Sequence, residues 1–484
     1  MNTHIEQALY NFRTTGARYA RAERYYHGDH DLAFASAKFE NTFGSLFREF
    51  ALNLCPAICD AIRDRLKVEG FGISSPHVSE DFRNEEKALT NVRASDTIWH
   101  RNRMLAGQHS IGRSRILNRG QVLDRLPNVN QKGLIGGVLY YDGQFDDTRL
   151  LIDILRTAES HGAVVLNYTR VMTLQKGEFG KIDGVEFEDT ENGKGFSASA
   201  RVVVNATGAF CAGVQQMSEP NAKPAVTYSQ GVHLVFDRKF LPHEAALLVP
   251  KTSDGRVLFC IPWKDHVLLG TTDTPVETPE LEPKALNGET DFILETASEY
   301  LAAKPTRDDI LSVFAGIRPL VKSGSSGSTA SLSRGHHLFL DAAGLVTITG
   351  GKWTTYRQMA EDAIDKAIEI GALKNTKSET ADLPIGPPLK LENGERLHQD
   401  LDITSGEVLL AVRDEMARTV EDILARRTRA LFLDAKAAIE IAPRVGELMA
   451  GELGKDQERV QQQVEDFNKT AENYLAGALV KSQS

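Results

Sequence analysis

The residues with the strongest claim to chemistry cluster in a few short motifs. TITGGKWTTYRQMAEDAID, residues 347–365, passes from a β-branched run into a helical one. Gly350 and Gly351 permit backbone angles closed to other residues and let a bulky ligand approach the main chain. A helix start then offers unpaired N–H groups and partial positive charge to an electron-rich ligand. A plain strand-to-helix turn would explain both glycines, with Thr354 or Thr355 as the cap, but it would not require Lys352. AGIRPL and SLSRGHH carry Arg318 and Arg334. Their planar guanidinium groups match phosphate oxygens, and a surface ion pair is the plainer use of either. His233, in SQGVHLVF, has the ring of a general base, although a packed structural histidine suits the same strand. Thr271, Thr272 and Asp273 in GTTDTP either orient a pocket or cap a turn.

Those residues need elements to hold them. Residues 136–168 read as a strand, a turn, a helix capped by Asp146 and a second strand after Gly162, which is α/β grammar. The helical stripe there is Leu150, Leu151, Ile154, Leu155 and Ala158. RVVVNATG, residues 201–208, reads as a buried strand ending at Gly208. Ligands of open α/β sheets bind beyond the carboxyl ends of strands, so Ala206, Thr207 and Gly208 are candidates for cofactor contact. Short β-branched and aromatic runs over 228–275 predict an antiparallel sheet, and HHLFL and GLVTITG predict two more strands. Met359, Ala360, Ala363, Ile364 and Ala367 form the expected buried stripe of the helix after the Gly-Gly turn. Residues 376–404 have the Pro, Gly and polar content of a linker, and the chain reads as helical from about Ser405.

Composition narrows the function. A net charge of -10 argues against a broad nucleic-acid-binding surface. No run approaches the roughly 18 apolar residues of a membrane helix and the start has no signal-peptide core, so a cytoplasmic location with at most peripheral membrane contact is expected. Four cysteines make no disulfide framework; Cys55 and Cys59 are two ligands, too few for a metal site, and Cys211 and Cys260 sit in apolar runs that read as core. No metal is expected.

GGVLYYDGQFDDTRL, VVNATGAF, SQGVHLVF, VPKTSDGRVLFCIPW, GTTDTP, PTRDDILSVFAGIRPL, TITGGKWTTYRQMAEDAID and VRDEMARTVEDILARRTR follow one another along the chain. In that order they resemble the FAD-dependent glycerol-3-phosphate dehydrogenases of the aerobic type, over about residues 105–375 and 405–450. The resemblance implies an α/β fold: a doubly wound FAD-binding domain interleaved with an antiparallel-sheet substrate domain over 105–375, a linker over 376–404, and a helical domain over 405–484. It implies FAD contacts from Ala206, Thr207, Gly208, Gly350, Gly351, Lys352, Thr354 and Thr355. Lys352 and His233 would be catalytic, the lysine beside the flavin and the histidine taking the C2 hydroxyl proton. Arg318 and Arg334 would face the phosphate of sn-glycerol 3-phosphate, and dihydroxyacetone phosphate would be the product. A membrane quinone on the inner face of the cytoplasmic membrane, or oxygen in an oxidase-type member, would take the electrons, and a homodimer is compatible with the family.

The first 103 residues depart from this pattern, which is why 1–104 reads as a divergent N-terminal region. They contain only five glycines, Gly16, Gly28, Gly44, Gly70 and Gly72. GFGISSP has Ser75 where the third glycine of a G-x-G-x-x-G turn belongs, with Pro76 after it. Nothing there supplies the family's H-G-G-x-R-Y segment. Two explanations stay open: an altered start that leaves a weak enzyme or a flavin-free remnant, or a frame defect upstream of LAGQHSIGRSR. A related FAD-dependent amine oxidase is the alternative enzyme, and AGIRPL and SLSRG, which suit a phosphate, speak against it.

Overall fold

The computed structural model describes the backbone of residues 31–35 and residues 112, 114–249, 252–253, 256–321, 335–387 and 392–478. Arg334, the Cys55 and Cys59 pair and the degenerate fingerprint at 70–76 lie outside them. The chain divides into two compact units, the first from Met1–Gln144, Arg238–Val267 and Thr296–Lys304, the second from Phe145–Asp237, Leu268–Glu295 and Pro305–Ser484.

In the first unit, strands Ala246–Val249 and Asp31–Ala35 run parallel, and Gly136–Tyr141 lies antiparallel to Asp31–Ala35. Leu258–Trp263 and Arg115–Asn118 add antiparallel pairs at either side. Val138, Tyr140 and Leu248 are buried together with Phe259 against them. Asn118 caps the helix Arg119–Arg125 through a reciprocal bond with Gln121, both at 3.0 Å. Cys260 is buried, as its apolar run predicts.

The second unit holds the candidate site. Six of its strands matter: β1 (Val204–Asn205), β2 (Val226–Asp237), β3 (Thr274–Val276), β4 (Ile310–Val321), β5 (His336–Leu340) and β6 (Val346–Gly350). β3 pairs antiparallel with β2 as the short runs over 228–275 predict, and β4, from beyond those runs, pairs antiparallel with β2 as well. β5 and β6 form an antiparallel hairpin, and β6 runs parallel to β1, with Val346 opposite Val204 and Thr347 opposite Asn205. Helix α1 (Asn287–Tyr300) begins in this unit, and helix α2 (Tyr356–Ile370) follows the Gly-Gly turn.

Helices dominate the rest: Ser405–Asp414, Val420–Arg426, Ala430–Leu433, Ala435–Leu453 and Gln457–Ala471. Thr404 with Glu407 and Thr419 with Asp422 form capping boxes that fix the starts of the first two. Arg396–His398 and Leu401–Thr404 pair as a short hairpin inside the stretch of linker composition.

Three local expectations change. Helix Asp147–Ser160 is capped by Asp146 as expected, with Oδ1 accepting from Arg149 N at 3.0 Å. Its buried residues, however, are Ile152 and Thr157, while Leu151 is exposed. Polar anchoring turns the helix: Arg149 pairs with the buried Glu415 at 2.6 Å and with Asp153 at 3.1 Å, and Thr157 accepts from Gly386 N at 3.0 Å. The run Ala163–Leu166 is irregular, and Val164 is 86 % exposed; no strand among the described residues offers it a hydrogen-bonding edge, and pairing resumes only at Thr169–Lys176. On α2, Ala363 and Ala367 are buried as the stripe predicts, but Ala360 and Ile364 face solvent, so the packed face is narrower than the apolar pattern.

Candidate functional site

The carboxyl ends of the parallel strands β1 and β6 bring two of the predicted stretches side by side. Past β1, Asn205 is buried and its side chain shapes the turn: Oδ1 accepts from Thr207 N at 3.3 Å and Thr207 Oγ1 at 2.7 Å, and Nδ2 donates to Cys211 O at 2.9 Å. Ala206 and Thr207 are exposed. Gly208 has φ of 57° with open space where a Cβ would stand. Past β6, Gly350 and Gly351 have φ of 74° and 73°. A Cβ on Gly350 would come within 2.7 Å of Val321 Cγ2 and 2.9 Å of Gly335 O, and one on Gly351 within 2.6 Å of Met359 Sδ. Both conformation and crowding therefore demand glycine.

Lys352 is exposed, and its ammonium meets no partner among the described residues. Thr355 N donates to Lys352 O at 3.0 Å and the Thr355 hydroxyl donates to the same oxygen at 3.0 Å, so Thr355 closes the turn rather than capping α2 with its side chain. Thr354 is exposed beside it. Trp353 Nε1 is a buried donor that has no acceptor among the described residues.

The second cluster lies on one face of the β2/β4 ladder. The register sets His233 opposite Phe314, Gly231 opposite Gly316 and Ser229 opposite Arg318. Side chains two residues apart share a face, so these six positions form one surface. The glycine pair leaves a gap in its middle. Arg318 folds back over Gly231, where a Cβ would stand 2.0 Å from its Nη2, while the space above Gly316 is open. Arg318 Nη1 donates to Thr272 O at 3.1 Å and Nη2 donates to Thr271 Oγ1 at 2.9 Å; Asp273 Oδ1 lies 3.7 Å from Nη1 and also accepts from Ser229 Oγ.

His233 stacks on Phe314 with ring centroids 5.3 Å apart, and its Cδ2 edge abuts Gly270. Neither ring nitrogen has a hydrogen-bond partner among the described residues. Burial, and secondarily the Arg318 charge, hold its pKa down to about 4, so the imidazole is neutral at pH 7 and has a lone pair to offer.

Behind this face sits a residue that sequence reasoning missed. Glu289, in the first turn of α1, is 6 % exposed. Its Oε1 accepts from Thr272 Oγ1 at 3.0 Å and Thr274 Oγ1 at 2.5 Å, and its Oε2 accepts from Gln230 Nε2 at 2.8 Å and Leu286 N at 3.0 Å. Val232 N donates to Thr272 Oγ1 at 3.0 Å, which ties the same loop to β2. The available signal was Ser229-Gln230 interrupting an otherwise apolar strand, since buried polar pairs imply a partner.

The two clusters meet through β4. Val321, the last residue of that strand, packs against Gly350 and joins Cys211, Val226 and Tyr228 in one buried group. Arg318 stands three residues upstream, roughly 10 Å along the strand at about 3.3 Å per residue. The structure thus gathers Ala206–Gly208, Gly350–Lys352, Arg318 and His233 in one unit.

Comparison with known proteins identifies the family. Residues 80–357 match the family model of FAD dependent oxidoreductases, and residues 358–460 match that of the C-terminal domain of alpha-glycerophosphate oxidase. The mitochondrial glycerol-3-phosphate dehydrogenase of Arabidopsis thaliana is 34% identical over 431 residues, covering 77% of this chain and 68% of its own length. The human mitochondrial enzyme is 34% identical over 418 residues, 76% of this chain and 57% of its own. The probable mitochondrial enzyme of Caenorhabditis elegans is 34% identical over 404 residues, 72% of this chain and 55% of its own. The chain therefore spans little more than half the length of several relatives. Among solved structures, the glycerol-3-phosphate dehydrogenase of Bacillus halodurans complexed with FAD superposes with a TM-score of 0.65 at 25% identity, over 76% of this chain and 81% of that one.

Proposed function

Because the chain belongs to the family of FAD-dependent oxidoreductases that carry the C-terminal domain of alpha-glycerophosphate oxidase, we propose that it oxidises sn-glycerol 3-phosphate to dihydroxyacetone phosphate. The observation that carries this reading is the β2/β4 face, where a phosphate-suited arginine and a neutral imidazole, without a hydrogen-bond partner among the described residues, stand beside the open space over Gly316.

The residues at the strand ends suit the flavin end of FAD. Gly350 and Gly351 keep the backbone bare, Gly208 leaves open space on the neighbouring strand end, and Trp353 holds a buried N–H without an acceptor among the described residues. Bound FAD supplies the acceptor for a hydride from C2. Ala206, Thr207, Gly208, Gly350, Gly351, Thr354 and Thr355 would line it, and the Lys352 ammonium would stabilise negative charge developing there.

Arg318 would hold the substrate phosphate with the second N–H of Nη1 and of Nη2, their first staying on the Thr272 carbonyl and the Thr271 hydroxyl, and Arg334 would be its second cation. A ring nitrogen of His233 would accept the C2 hydroxyl proton as the carbonyl forms. Its neutrality at pH 7 keeps that nitrogen ready, and the adjacent guanidinium favours the alkoxide character of the departing oxygen.

The wider reading places the FAD- and substrate-binding parts over 105–375, a linker over 376–404 and the helical domain over 405–484. A membrane quinone met at the bilayer surface as electron acceptor, and assembly as a homodimer, rest on the family resemblance. Among the described residues no helix is long and apolar enough to cross a membrane.

The test is Arg318→Ala. A charge-assisted hydrogen bond contributes roughly 1.5–3 kcal/mol, so kcat/KM for glycerol 3-phosphate should fall about tenfold to a hundredfold or more, while glycerol, which lacks the phosphate, should distinguish variant from parent poorly. Equal losses on both substrates would remove the phosphate assignment.

A further inference from the structure

Arg318 does not reach its site unaided. Its guanidinium is held by the Thr272 carbonyl and the Thr271 hydroxyl, both on the Gly270–Thr274 loop. That loop is in turn fastened from behind. Glu289 accepts hydrogen bonds from the Thr272 and Thr274 hydroxyls, and the Thr272 hydroxyl accepts from Val232 N on β2. The other Glu289 oxygen is bound by Gln230 Nε2 and Leu286 N, which fixes the carboxylate against β2 and the start of α1. This carboxylate is buried with no cationic partner among the described residues. A buried anion satisfied by neutral donors alone costs desolvation that an uncharged side chain would avoid, and four converging donors define a single geometry.

We propose that Glu289 is a positioning residue for substrate phosphate: it sets the Thr271–Thr274 loop, and through the Thr272 carbonyl and the Thr271 hydroxyl it sets the direction of the Arg318 guanidinium. The inference rests on the assignment of Arg318 to the phosphate. It adds that the fork is aimed from the far side of the ladder, by a residue that touches neither substrate nor flavin.

Helix capping alone could account for the bond to Leu286 N, so the experiment must separate aim from stability. The dissociation constant of glycerol 3-phosphate is measured by calorimetry on the full chain for the parent, Glu289→Ala, Glu289→Gln, Thr272→Val, Arg318→Ala and the Glu289→Ala/Arg318→Ala double variant, with melting temperatures alongside. Glu289→Ala and Thr272→Val should each weaken binding about five- to tenfold, the scale of a lost hydrogen bond or two. Glu289→Gln keeps the shape and an oxygen for both hydroxyls but sets its amide nitrogen against the donors Gln230 Nε2 and Leu286 N, so it should recover that loss only in part. Once Arg318 is alanine, removing Glu289 should cost little further affinity, because nothing remains to be aimed. Additive losses in the double variant, or parental binding by folded Glu289→Ala and Thr272→Val, would overturn the proposal while leaving Arg318 in place. Parental binding by Arg318→Ala, or no binding by the parent, would instead overturn the phosphate assignment and this inference with it.

Discussion

Gly231→Ala should separate ligand recognition from folding. An added Cβ at residue 231 would stand 2.0 Å from Arg318 Nη2 and 2.5 Å from Cζ, well inside any tolerated contact, so the guanidinium must leave its present position. The backbone has little reason to object. Gly231 lies inside β2, paired with Gly316, outside the left-handed region, and alanine in a strand interior gains roughly 0.5–1 kcal/mol over glycine in unfolded-state entropy. Against that gain stands the loss of the Arg318 bonds to Thr272 O and Thr271 Oγ1 on the folded side. The two terms offset, and the melting temperature should move by only a few degrees. Substrate affinity has no such compensation. Displacing the charge-assisted donors forfeits roughly 1.5–3 kcal/mol, which is about tenfold to more than a hundredfold in the dissociation constant of glycerol 3-phosphate. Calorimetric titration with a parallel thermal melt reads both quantities. Parental affinity in a variant whose Arg318 is seen displaced would show that the phosphate is held elsewhere.

His233 should titrate with a midpoint near pH 4 in NMR spectra of the folded chain, against an ordinary value of about 6.5. Arg318→Ala should raise that midpoint by the smaller share of the shift, since burial is the larger cause. The stability sign follows: between pH 6.5 and 4 the unfolded chain takes a proton that the folded chain refuses, so the His233 contribution is complete above pH 6.5 and is lost as pH falls towards 4. A midpoint near 6.5 would place the ring in water. Gly351→Ala should destabilise the second unit by about 1–3 kcal/mol in denaturant melts, from the left-handed backbone and the Met359 contact, whereas Gly316→Ala, with nothing near its Cβ, should melt within a degree or two of the parent.

The turn after β6 was legible in the sequence because glycine pairs, a lysine and a helix stripe are local signals, and β5 and β6 themselves were legible as two short runs of strand character. Legibility faded where partners came from far along the chain. The apolar stripe of Asp147–Ser160 suggested one face, and an ion pair from Arg149 to Glu415, 266 residues away, selected another. Ala163–Leu166 has strand composition without a strand to join. Glu289 carried no motif of its own; its meaning arises only when β2 brings Gln230 and the Thr272 loop to the start of α1. Arg334 and the altered G-x-G-x-x-G stretch at 70–76 lie outside the described residues, and the match to the FAD-dependent family begins only at residue 80.

The most direct test of the whole account is anaerobic mixing of the chain, supplied with excess FAD and then freed of unbound flavin, with glycerol 3-phosphate while the oxidised flavin absorbance is followed. The account predicts bleaching with glycerol 3-phosphate, formation of one dihydroxyacetone phosphate per flavin reduced, and far slower bleaching with glycerol or with amino acids. Flavin that binds and stays oxidised with glycerol 3-phosphate, or that is reduced faster by an amino acid, would contradict it, as would a chain that holds no flavin at all under that excess.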